Sequence, residues 1–109
     1  MTIPIIEQQK ALMFINEPEI LFKGCEMVIK YFRQLEKYFA DKGDQRGLES
    51  LGSIPELPQE IVKLEQMLPN LIKSDKRKIE DAYLVYLKLR LKQDFFASHY
   101  KEFKPNYNI

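Results

Sequence analysis

The sequence predicts an all-α fold: a small bundle of about four helices, two long and two short, with a long ordered crossover between the second and third. Three features carry this prediction. Leu21, Cys25, Val28, Phe32, Leu35 and Phe39 recur at alternating spacings of four and three, which is a heptad stripe. Residues 75–103 contain no Gly or Pro and are rich in Ala, Leu, Lys, Arg and Gln, all strong helix formers. Gly43, Pro58, Pro69 and Pro105 fall where such segments should start or stop.

The first helix is expected over residues 5–15, with Pro4 suited to its first turn. The second is expected over residues 17–42. Asn16 and Glu19 have the spacing of a capping box, Pro18 fits the first turn, and Gly43 fits the position just past the end. A second stripe of Ile20, Gly24, Met27, Tyr31, Gln34 and Tyr38 widens the apolar face, as a helix with two neighbours requires.

Residues 44–57 form the crossover. Leu48, Leu51, Ile54 and Leu57 recur every third position, so the segment is expected to be pinned to the bundle, with Asp44 capping one short turn that reaches Leu51. The third helix spans residues 58–68, with Ile61, Leu64 and Leu68 on one stripe, and Pro69 stops it. The fourth spans 75–103 with Ser74 as its N-cap. The alternation across residues 87–92 also fits a strand, but the helix-forming composition favours helix. Residues 1–104 read as one helical domain and 105–109 as an extended tail.

The chain has 109 residues, with 17 Lys+Arg against 16 Asp+Glu, formally +1. That balance disfavours a broadly basic nucleic-acid coat. One cysteine cannot close an internal disulfide, the N-terminus lacks a signal-peptide pattern, and uncharged runs such as residues 82–87 reach only six residues. A cytoplasmic location without membrane association is the expectation.

No catalytic, metal or cofactor site is predicted. Cys25, His99 and Asp94 supply the residue types of a thiol–imidazole arrangement, but Cys25 lies in the heptad stripe, where a free cysteine acts as a small apolar residue. His99 and Glu102 stand in the reverse of a di-iron Glu-x-x-His order. Gly43 and Gly47 match neither phosphate-binding loop pattern and read as a helix terminator and a turn.

Two binding functions remain. The main expectation is a non-enzymatic protein-interaction module (an adaptor, subunit, regulator or inhibitor) that presents an apolar, aromatic-rich helix face. Its candidate residues are Tyr83, Leu84, Leu87, Lys88, Leu91, Lys92 and Phe95 on the last helix, with Tyr31 and Tyr38 on the second. The middle of the last helix is apolar around most of its girth, so either other helices surround it or a second chain covers one side. Homodimerisation through the second or fourth helix fits this. The alternative is a nucleic-acid-associated module. Residues 73–92 hold seven basic and three acidic groups, and Lys73, Lys76, Arg77 and Lys78 would meet phosphates or an acidic partner.

Overall fold

The computed structural model describes residues 16–54 and 56–105; the helix expected at 5–15 and residues 106–109 of the expected tail lie outside them. The described residues form four α-helices and no strands: α1 (Pro18–Lys42), α2 (Gln45–Ser53), α3 (Leu57–Met67) and α4 (Lys76–His99), with a 3₁₀ turn at Leu68–Asn70. The long helices α1 and α4 pack on each other; α2 leans on α1, and α3 packs against α4.

The heptad stripe of α1 is the centre of the core. Leu21, Cys25, Val28, Phe32, Leu35 and Phe39 are all buried, and Phe32 meets Phe96 of α4 edge-on at 6.1 Å. The second stripe divides. Tyr31 is buried and Gly24 faces the Tyr86 ring, whereas Ile20 and Met27 stay exposed. Among the described residues, α1 thus has one buried face and a partly covered shoulder.

Two helix starts, and the length of a third helix, differ in detail from expectation. The boundary residue of α1 is Glu17, not Asn16, which is itself helical. Pro18 explains the shift: a proline forces the residue before it out of the helical region, and Glu17 sits at φ −129°, ψ 70°. No side chain caps this end. At α4 the cap is Asp75, whose Oδ1 accepts from the Lys78 amide at 3.0 Å. Ser74 is not the cap because its hydroxyl donates back to the Asn70 carbonyl at 2.6 Å. Asp44 caps as expected, accepting from the Gly47 amide at 3.0 Å, but α2 runs nine residues rather than one turn.

The helix ends follow local chemistry. Gly43 adopts the left-handed φ of 67°, and the Gly43 and Asp44 amides donate to the Ala40 and Phe39 carbonyls. This satisfies carbonyls that the helix end leaves open. Pro69 tightens the end of α3 into the 3₁₀ turn, and Leu71 after it is buried.

The helix α4 stops at His99, four residues short of the expected 103. Tertiary contacts override the local preference. Leaving the helix at Tyr100 lets Phe103 fold onto Tyr31 and Tyr38, with centroids at 5.4 and 5.1 Å. It also lets Glu102 accept from the Tyr38 hydroxyl at 2.9 Å and pair with Lys42 at 3.3 Å. Those bonds from Tyr38 and then Lys42 hold the Glu102 carboxyl below its ordinary range.

Candidate functional site

The helix α4 is apolar on two opposite sides, as its sequence suggests. Ile79, Ala82, Tyr83, Val85, Leu89 and Phe96 face the core and are buried. Leu84, Lys88, Leu91 and Phe95, spaced four, three and four apart, fall on the other side, because those intervals return to the same helix face. Leu84 and Leu87 are half-buried, but Leu91 is 73% exposed and Phe95 52% exposed. Leu91 and Phe95 are thus neighbouring exposed apolar groups one turn apart, clustered rather than scattered.

The turn after α2 completes the cluster. Ile54, Lys88, Leu91, Lys92 and Phe95 line one shallow, open and largely apolar groove. The Phe95 ring lies 5.6 Å from Phe96 and 4.2 Å from the His99 imidazole, whose Nδ1 is 2.9 Å from the Phe95 carbonyl. Phe95 is therefore held in place while one side faces solvent. Lys92 is anchored as well: its ammonium lies 3.1 Å from Glu60 Oε2 on α3, and Glu60 is only 7% exposed. Lys88 is exposed and forms no ion pair among the described residues.

The structure therefore gathers Lys88, Leu91, Lys92 and Phe95 from the expected surface set, with Leu84 and Leu87 partly sunk beside them. Three aromatic candidates fall elsewhere. Tyr31 and Tyr83 are 2% and 1% exposed, and they are core residues rather than surface ones. Tyr31 is enclosed by Phe32 and Phe103, and Tyr83 stacks near Tyr86. Tyr38 is half-buried against Phe39 and Phe103, beneath the Lys42 ammonium, and does not line the groove.

The basic residues of 73–92 do not form one strip. Lys73, Lys76, Arg77 and Lys78 are all exposed, but successive helical side chains diverge by about 100°, so Lys76, Arg77 and Lys78 fan around the first turn. Lys92 is turned to Glu60. Sequence reasoning missed two members of the site. The every-third-residue spacing places Ile54 only in the crossover. Glu60 carried a visible signal: it lies between Leu57 and Ile61–Leu64, on the apolar face of α3, where a carboxylate needs a partner.

The residues considered for catalysis stay apart. Cys25 is buried opposite the α4 segment near Tyr86, whereas His99 is exposed thirteen residues further along that helix, a rise of roughly 20 Å. Burial, with a smaller contribution from Glu26, pushes the Cys25 thiol up to about 12. In native buffer near pH 8 its alkylation is expected to be slower than in urea by on the order of a hundredfold or more, because reaction needs opening of the core. The folded chain keeps this proton where the unfolded thiol, with its ordinary value of 9.0, gives it up. Its contribution to stability is thus intact below about pH 9 and falls as pH rises towards 12. Urea unfolding of Cys25→Ala across that interval should show a shallower alkaline decline.

Among the described residues no group of three His, Cys, Asp or Glu side chains could hold a metal, and no helix is long and apolar enough to cross a membrane. The fold and the groove together define a small helical bundle with an exposed apolar face on its last helix. Comparison with protein-family models, curated proteins and solved structures returns no match.

Proposed function

We propose that this chain is a non-enzymatic cytoplasmic module that binds a protein partner through the outward face of α4. The observation that carries the reading is the exposure of Leu91 and Phe95 beside Ile54, on the side of α4 away from the core. Burial of such side chains stabilises a complex at about 25 cal/mol per Å² of apolar surface, and aromatic anchors contribute most. The aliphatic stems of Lys88 and Lys92 extend the apolar lining, and their charges set orientation at the rim.

The test compares tagged wild-type chain with Leu91→Asp and Phe95→Ala in recovering a partner from the native host. Both side chains are exposed, so both variants should unfold at nearly the wild-type urea concentration. Partner affinity is expected to drop tenfold or more, and wild-type binding to change little between about 50 and 200 mM salt. A partner retained by Leu91→Asp with the fold intact would sink the reading. Retardation of DNA or RNA at low salt, lost in Lys76→Glu or Lys78→Glu, would support the nucleic-acid alternative instead.

A further inference from the structure

A second cleft is walled by α1, α2 and α3 and shares no lining residue with the α4 groove. We propose that it binds a small apolar amine: one ring or short branched chain carrying a single protonated nitrogen. Size selects a small molecule. The cleft encloses about 230 Å³. An apolar cavity of about 150 Å³ takes one benzene ring, so this one has room for a ring and a chain of about two or three carbons. A single turn of helix, about 10 Å across and 5.4 Å long, fills more than roughly 400 Å³, so a partner helix does not enter. The walls select hydrocarbon for the inner end of the ligand. Phe32, Leu51, Leu57 and Ile61 line the cleft and are buried, and at Gly52 an added Cβ would meet nothing within 4 Å. Among the described residues, the polar side chains of the lining are those of Arg33 and Glu36 alone.

Charge selects the amine. Arg33 and Glu36 are both exposed and stand nearly one turn apart on α1, at the mouth of the cleft. Arg33 is already committed, because its guanidinium pairs with Glu65 of α3. The Glu36 side chain has no ion pair or hydrogen bond among the described residues. The mouth therefore carries one uncompensated negative charge. The surrounding charges do not reverse that sign. Lys37 on α1 is offset by Glu49 on α2, and Glu56 before α3 adds a further carboxylate. Lys30 and Lys63 line neighbouring hollows rather than this one. An ammonium at the mouth would donate to Glu36 while the hydrocarbon end fills the cleft, an apolar site with one orienting polar group. A ligand carboxylate would meet Glu36 as a like charge.

The experiment titrates the full, isotope-labelled chain and reads amide shifts by NMR at neutral pH. Phenethylamine, phenethyl alcohol and phenylacetate match in size but carry positive, zero and negative charge; methylamine carries the charge without the ring. Phenethylamine is expected to shift the amides around Leu51 and Ile61 with a dissociation constant on the order of 1 mM. The alcohol should bind about fivefold more weakly, phenylacetate more weakly still, and methylamine should leave those amides unmoved. Glu36→Gln should bring the amine to the affinity of the alcohol and leave the alcohol unchanged. Gly52→Leu and Val62→Trp add bulk to the lining at exposed positions, and each should weaken every ring probe by about tenfold or more. Circular dichroism checks the fold of each variant. No shift with any ring probe, or shifts that survive in both Gly52→Leu and Val62→Trp, overturns the site. Equal affinity for amine and alcohol, an amine preference that Glu36→Gln leaves unmoved, or tightest binding of phenylacetate overturns the amine assignment.

Discussion

Lys92→Met is expected to destabilise the fold by about 3 kcal/mol, although it replaces an ion with an apolar side chain of similar length. The reason lies across the interface between α3 and α4. Glu60 is enclosed, and its Oε2 accepts from the Lys92 ammonium at 3.1 Å, while Oε1 has no hydrogen-bond partner among the described residues. Removing the lysine leaves a buried carboxylate with neither charge partner nor donor, and such orphaned charges cost several kcal/mol.

The opposite deletion is milder. In Glu60→Met the lysine stays at the edge of an open groove, where its flexible stem keeps the ammonium within reach of water, so a loss near 1 kcal/mol is expected. The double variant Glu60→Met/Lys92→Met removes both charges and should recover most of the stability lost in Lys92→Met. Urea unfolding of the four chains closes a double-mutant cycle. A Lys92→Met cost no larger than that of Glu60→Met would show that water or another cation already serves Glu60.

How far the sequence revealed this fold depends on which physical force fixed each part. The α1 stripe was legible because periodicity records burial directly: all six residues from Leu21 to Phe39 that share one face are enclosed by the core, which Ile29 and Tyr31 join from the adjacent shoulder. Gly43 was legible because a left-handed helix end favours glycine wherever it occurs. The outward strip of Leu91 and Phe95 was legible as an excess, since α4 carries more apolar residues than one core-facing side needs. By contrast, the placement of Tyr31 and Tyr83 in the core depends on which rings surround them, including Phe103 from beyond α4. Composition cannot state that. The early end of α4 is likewise a tertiary effect, because Glu102 and Phe103 find their partners on α1. The pairing of Glu60 with Lys92 spans 32 positions in the chain, so no local pattern announces it.

Gly47 is the position where a local reading misleads most, and its substitution gives the second large effect. By spacing from Gly43 it resembles a turn residue, yet it lies inside α2 and is buried. Its role is contact distance. A Cβ there would fall 2.5 Å from Cδ1 of Phe39, about 1 Å inside normal carbon–carbon separation. Phe39 cannot yield easily, because it is fully buried with the Tyr38 and Tyr100 rings at 5.8 and 4.8 Å. The bare backbone of Gly47 is thus what lets α2 seat against α1. Helix propensity alone would make Gly47→Ala stabilising by up to about 1 kcal/mol. Overpacking costs about 1–3 kcal/mol and exceeds that gain, so a net loss near 2 kcal/mol, or a fall of about 10 °C in Tm, is expected. Gly52 in the same helix is the control: a Cβ there meets nothing within 4 Å, so Gly52→Ala keeps the propensity gain and should be neutral or slightly stabilising. Thermal unfolding of the two variants should therefore move in opposite directions from wild type. If both rise together, α2 does not rest on the Phe39 ring, and the close contact between α1 and α2 is not what sets the path of the chain after Gly43.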